Sequence, residues 1–273
     1  MLKAFRRLRL YFLLLLAISI TVVAVMGPAL APKDPYSIDL LNTFHPPDRE
    51  NLLGTDRLGR DLFSRILHGA RDSFALTMLM VLAISCIGSV IGMVAGYIGG
   101  AIDMAIMQAA DILLAFPAMV FAIAVAGIFG RGIYRTLLAL ALVCWAKYAR
   151  MARGLVDEIR RREYVTQALF GGSRWYQILF KYIMPNILPQ IVIVTVSDIG
   201  EMMITLSSLS FLGLIGNVPE PEWGIMLAEY RQFITTRPYL VLYTGLALLI
   251  TVVVFNLLGD SLRDVLDPKE LRN

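Results

Sequence analysis

The stretch Leu10-Tyr11-Phe12-Leu13-Leu14-Leu15-Leu16-Ala17-Ile18-Ser19-Ile20-Thr21-Val22-Val23-Ala24-Val25-Met26 carries no charge and follows the basic cluster Lys3, Arg6, Arg7 and Arg9. A helix needs about 20 mostly apolar residues to cross a hydrocarbon core of about 30 Å. Extended from Leu10 to Ala29, this stretch meets that length. A basic start, an apolar run and Ala29-Leu30-Ala31 also resemble a secretory signal with its cleavage site. The run exceeds the usual h-region of about 7–15 residues, which favours an uncleaved anchor.

Five further stretches read the same way: Phe74–Gly99, Met104–Gly130, Thr136–Tyr148, Tyr182–Ile215 and Leu240–Leu258. The second of these is interrupted by Asp111 and by Phe116-Pro117. Composition agrees with a polytopic membrane protein. Hydrophobic residues make up 58% of the 273-residue chain and charged residues 17%, against roughly 45–50% and 25% in soluble domains. This excludes a disordered chain, a solvated repeat array and a typical cytosolic enzyme. The net charge of +4 comes from basic residues beside apolar runs. Topology explains that placement, and no nucleic-acid partner is expected.

Orientation follows from the same residues. With a cytoplasmic N-terminus (residues 1–9), six spans return the C-terminal tail (259–273) to the cytoplasm. The loop 147–181 then faces inward with Lys147, Arg150, Arg153, Arg160, Arg161, Arg162, Arg174 and Lys181, and the tail adds Arg263, Lys269 and Arg272. That dense basic loop is the strongest positive-inside signal. The outer segment 32–72 opens with Pro32, Pro35, Pro46 and Pro47 and reads as irregular. It ends in Gly54-Thr55-Asp56-Arg57-Leu58-Gly59-Arg60-Asp61, where Thr55 or Asp56 is positioned to cap a short helix. Residues 10–273 read as one membrane domain.

Catalytic signatures are missing. The chain contains no phosphate-loop motif, and His45 and His68 are its only histidines. Cys86 and Cys144 lie inside apolar segments without metal-ligand spacing. No catalytic residue, metal ligand or cofactor of the chain's own is expected. Asp198 and Glu201 are three apart and share a helix face. One reading places them on a translocation path suited to a cationic substrate; the other has them protonated or paired for helix packing. The cytoplasmic loop carries Thr166-Gln167-Ala168-Leu169-Phe170-Gly171-Gly172-Ser173 and then Tyr182-Ile183-Met184-Pro185. A helix, a glycine turn and a second helix entering the membrane form a surface knob. Residue chemistry alone favours an ordinary solvated connection whose basic residues serve only topology.

This loop resembles the EAA loop of inner-membrane permease subunits of ABC importers, with Ala168, Gly172 and Pro185 in register. Thr166 and Gln167 stand at the first two positions of the pattern, and Tyr182 and Met184 replace Ile and Leu. Gly54-Thr55-Asp56 through Gly59-Arg60-Asp61, Gly69-Ala70-Arg71, Ser210-Phe211-Leu212-Gly213, Glu222-Trp223-Gly224 and Phe255-Asn256-Leu257-Leu258-Gly259-Asp260 are similar to the second ("C" type) permease of the dipeptide, oligopeptide and nickel branch. Trp145–Met151 and Asp198–Met203 lean towards nickel or metallophore transport.

The resemblance implies an all-α fold of six transmembrane helices with a cytoplasmic coupling loop, in a bacterial or archaeal inner membrane. It implies a homologous permease as heterodimer partner, two ATPase subunits that bind ATP and Mg, and an external substrate-binding protein. Thr166, Gln167, Ala168, Gly172, Ser173 and Pro185 fall at the coupling contact. The rival class, an ion-gradient-driven secondary transporter or channel, would use Asp111, Asp198 and Glu201.

Overall fold

A computed structural model describes residues 2–215 and 220–266, with side chains from Phe5 onward. Lys269 and Arg272, expected in the cytoplasmic tail, lie outside the described residues. The described chain is helical throughout apart from loops and one isolated bridge between Thr55 and Asp61. The helices are α1 (Leu2–Leu30), α2 (Leu62–Ile98), α3 (Gly100–Leu114), α4 (Ala118–Phe129), α5 (Ile133–Arg160), α6 (Glu163–Phe170), α7 (Trp175–Gln177), α8 (Met184–Phe211), α9 (Trp223–Tyr230) and α10 (Pro238–Leu266). A wide π turn over Ile178–Ile183 joins α7 to α8.

Among the described residues, four stretches are long and apolar enough to cross a membrane: Phe5–Leu30, Leu62–Ile98, Trp175–Phe211 and Pro238–Leu266. The pair α3 and α4 makes a fifth if counted as one span, bent by 86° at its break. That break lies at Ala115-Phe116-Pro117, because proline has no N–H and its ring clashes with a preceding helical turn. The stretch Thr136–Tyr148 lies inside α5, which is 28 residues long. Arg135, Lys147, Arg150 and Arg153 keep α5 below the apolarity of the other four.

The chain divides into two compact units. The first comprises the described residues within 2–79, 131–133 and 196–266. Here α1 packs along α10, and α9 packs on α10. The second comprises residues 80–130 and 134–195. Its organising contact is a glycine stripe. A Cβ added at Gly92 would lie 2.7 Å from the Ala149 Cα and carbonyl carbon, and one added at Gly88 would lie 2.7 Å from Tyr148 Cβ. Gly96 faces the Arg153 carbonyl in the same way. Spaced four apart, these glycines lie on one side of α2 and let the α5 backbone approach closely, as small residues do between membrane helices. Ala146, Ala149 and Ala152 on α5 are fully buried.

Candidate functional site

The knob of the second unit is built around one inward residue. On α6 only Val165 is buried; it joins Met93, Val156, Ile159, Ile178, Leu179, Ile183 and Ile187 in a single apolar cluster. This cluster seats α6 and the π turn on the ends of α2 and α5. The opposite side is open and apolar. Leu169, Phe170, Trp175, Tyr176 and Phe180 are all exposed, Phe170 by 86%. An exposed aromatic patch of this kind, in a loop otherwise rich in charge, is the sort of surface that a protein partner or a membrane covers.

The turn between α6 and α7 is a Schellman motif. Ser173 N–H donates to the Ala168 carbonyl at 3.1 Å, and Gly172 N–H donates to the Leu169 carbonyl at 3.1 Å. The motif needs a left-handed residue at Gly172, whose φ is +81°. Nothing lies within 4 Å of a Cβ built there, so conformation, not crowding, demands glycine. Arg174 N–H then donates to Gln177 Oε1 at 2.8 Å, starting the next helix. Thr166 and Gln167 are exposed on α6, while Ala168 and Ser173 are half-buried at the turn. Pro185 is exposed one residue into α8. Its ring cannot donate to the Lys181 carbonyl, and the π turn sits where that bond would form. The Asn186 amide reaches back to the Tyr182 carbonyl at 2.6 Å.

A second polar site occupies the first unit. Asp56, Arg60, Arg65 and Glu229 form a buried charge quartet. Asp56 accepts from the Leu58 and Arg60 N–H groups at 2.8 and 3.1 Å and from Arg60 Nε at 2.7 Å. Glu229 accepts from Arg60 Nη2 at 2.6 Å, from the half-exposed Arg57 Nε at 3.0 Å and from Arg65 Nη2 at 3.4 Å. The Tyr230 hydroxyl sits between Arg65 and Asp56. Burial alone would lower the Arg60 pKa, but the Asp56 and Glu229 carboxylates outweigh it and raise it. Burial likewise pushes the Tyr230 phenol well above its ordinary value. Asp61, not Thr55 or Asp56, caps a helix here: it accepts from Ser64 N–H at 2.8 Å, and that helix is the long α2. Asp56 is spent on the quartet and Thr55 on the His45 N–H.

Residues 88–272 match the family of binding-protein-dependent transport system inner membrane components. The chain is 40% identical over 262 residues to the nickel transport system permease protein NikC of Escherichia coli, covering 96% of this chain and 93% of that one. It is 41% identical to the glutathione transport system permease protein GsiD of Pectobacterium atrosepticum, covering 95% and 85%. It is 37% identical to the probable D,D-dipeptide transport system permease protein DdpC of Escherichia coli, covering 91% and 83%. The chain belongs to this family. It is an inner-membrane permease component of an ABC importer, a transport subunit and not an ion-gradient-driven transporter.

Several signature residues of the permease hold helices together. A Cβ on Gly259 would lie 2.7 Å from Ser197 Cα, and one on Gly200 would lie 2.8 Å from Asn256 Cγ, so α8 and α10 meet at these points. Glu222 caps α9, accepting from Gly224 and Ile225 N–H at 3.0 and 2.9 Å and from the Ser73 hydroxyl at 3.0 Å. Asp198 and Glu201 separate despite sharing a stretch of helix: Asp198 is buried and Glu201 is exposed. Sequence reasoning attached no role to Glu229 or Arg65, although the dense charges of Asp56–Arg65 were a visible signal.

Proposed function

We propose that this permease forms half of a translocation path with a homologous permease, and that its α6–Gly172–α7 knob receives an ATPase subunit. The observation carrying this reading is the knob itself: a rigid Schellman turn seated by Val165, with Leu169, Phe170 and Trp175 facing outward. Thr166, Gln167, Ala168, Gly172, Ser173 and Pro185 lie along or beside that surface. An external binding protein delivers cargo on the opposite face. Two ATPase subunits bind ATP and Mg, and their closure moves the knob and the helices fused to it. Residues 10–273 act as one membrane domain. Six spans, with α3 and α4 counted as one and α5 as another, put both termini and the loop 147–181 in the cytoplasm.

Asp198 and Glu201 are assigned to the path. Nickel, glutathione and D,D-dipeptide in the relatives' names support a cargo that is a short peptide or a metal chelate. The test is Gly172→Asp. A left-handed backbone costs most non-glycine residues roughly 1–2 kcal/mol and Asp less, and the new carboxylate adds a charge beside the exposed apolar face, which perturbs the turn and its surface without unfolding the spans. The variant inserts in the membrane but loses co-purifying ATPase or ATP-driven uptake. Normal ATPase association together with normal uptake would overturn the reading.

A further inference from the structure

A cavity of about 670 Å³ opens between α3 and α5, within the second unit. Its wall carries Asp103 and Asp111 from α3, Arg150 and Arg153 from α5, and Met107 and Gln108 between them. The charges are paired across it: Arg153 Nη2 meets Asp103 Oδ2 at 2.7 Å, and Arg150 meets Asp111. We propose that this cavity is a cargo subsite for a small zwitterion, its ammonium taken by Asp111 and its carboxylate by Arg150. The proposal rests on the permease reading above and narrows its substrate class to short peptides.

Three features support it. The volume falls in the range of about 300–1,000 Å³ typical of small-molecule sites. Arg150 and Arg153 belong to the basic loop 147–181 proposed to face the cytoplasm, so their pairs with Asp111 and Asp103 set the cavity at the inner mouth of the membrane segment, on the side where imported cargo leaves. Both members of the Arg150–Asp111 pair are about half-exposed, so each has donor or acceptor capacity to offer an incoming ligand.

The charge balance selects the ligand. Two carboxylates face two guanidinium groups, so the cavity has no net formal charge. A bare divalent cation gains from Asp111 but is repelled by Arg150, and an anion meets the reverse. A molecule carrying both charges exchanges one protein–protein ion pair for two protein–ligand pairs, which is electrostatic complementarity with built-in rejection of singly charged competitors.

The test uses the assembled transporter in nanodiscs, with Cys86 and Cys144 replaced by Ala and Met107→Cys as reporter. Labelling by a water-soluble methanethiosulfonate is followed with alanyl-alanine, N-acetyl-alanyl-alanine, alanyl-alanine amide or Ni²⁺. The zwitterion protects at concentrations about ten-fold or more below either capped form, the size of one lost charge-assisted hydrogen bond. Asp111→Asn weakens protection by the zwitterion and the amide but not by the N-acetyl form. Arg150→Gln weakens protection by the zwitterion and the N-acetyl form but not by the amide. Asp111→Glu keeps the wild-type order. If the pairs were only struts, each variant would shift all ligands equally, and that result overturns the proposal, as does protection by Ni²⁺ alone. An ATP-dependent change in labelling without any ligand reports the permease reading by itself. A reporter that responds to ATP but is protected by no probe therefore refutes the subsite and leaves the permease reading standing.

Discussion

Gly92→Ala tests the glycine stripe that brings α2 against α5. The new Cβ would sit 2.7 Å from the Ala149 Cα and carbonyl carbon, where ordinary contact begins at 3.4 Å. The Ala149 carbonyl oxygen lies nearer still, so the helices must part by more than the 0.7 Å shortfall (3.4 less 2.7) at the carbons. The obstacle is backbone, so no rotamer change relieves it, and the cost falls at the upper end of the roughly 1–3 kcal/mol for overpacking. Alanine's better helix propensity returns about 1 kcal/mol, leaving a net loss of about 2 kcal/mol. At roughly 2–4 °C per kcal/mol for a chain of this size, the unfolding midpoint in detergent drops by about 4–8 °C. Gly245 in α10 is the control. Nothing lies within 4 Å of its Cβ position, so Gly245→Ala gains roughly 0.5–1 kcal/mol and raises the midpoint slightly. A thiol-reactive dye or fluorescence-detected size exclusion over a temperature ramp reads both. A Gly92→Ala midpoint equal to or above wild type would refute the close-approach argument.

Four further expectations follow from the geometry. Glu229→Gln leaves Arg60 and Arg65 short of one buried carboxylate and destabilises the outer segment by about 3–5 kcal/mol, read as faster proteolysis within residues 32–60 of the assembled protein; unchanged cleavage counts against the quartet. Burial raises the Glu222 pKa, so the folded chain holds that proton to higher pH than the unfolded chain. The resulting stability is full below the unfolded carboxyl value of about 4.3 and is lost as pH rises through the native value; Glu222→Gln flattens this decline in midpoint against pH, and an unaltered slope removes the argument. For topology, Leu41 is 96% exposed, so Leu41→Cys reacts with an impermeant maleimide in intact cells while Phe170→Cys reacts only after permeabilisation; labelling of Phe170→Cys from outside inverts the proposed orientation. Asp56, the obvious outer position by sequence, is fully buried in the quartet and unsuited to labelling. Finally, Asp198→Asn with Glu201→Gln slows uptake without loss of ATPase co-purification, and wild-type uptake would return both residues to a packing role.

What was legible in the sequence was whatever depends on neighbours along the chain. The apolar run Leu10–Met26 lies within α1, and Phe116-Pro117 marks in the sequence itself the break between α3 and α4. The knob was readable as helix, glycine turn and helix because all its determinants fall within residues 163–185. Boundaries moved where local and tertiary signals differ. Helix α2 begins at Leu62, well before the apolar stretch from Phe74, because its polar first turns carry Ser64 and Arg65 into a buried site. Reading hydropathy alone treats such a turn as loop. The fourth expected span met the opposite problem: α5 is continuous, but its buried alanine face and its arginines share the same turns.

The signature residues shared with the permease family were recognisable as a pattern, yet their physical work is non-local. Arg60 and Glu229 lie 169 positions apart, and Ser73 and Glu222 lie 149 apart; nothing in one chain pairs them until the fold does. Their chemistry also explains why charge is concentrated there. The segment before α2 leaves Tyr36, Ile38, Leu40, Leu41 and Leu52 exposed instead of packing them into a core, and the charge-assisted hydrogen bonds of Asp56, Arg60, Arg65 and Glu229 hold it in place. Such a set tolerates little change, since removing one member strands the others in a buried site. The knob follows the reverse logic: only Val165 of α6 is committed inward, and its outer face is left apolar and unfilled. Under the proposed ATPase contact, a surface that engages and releases a moving partner needs a rigid seat and an uncommitted face, and the Gly172 turn supplies the first without intruding on the second.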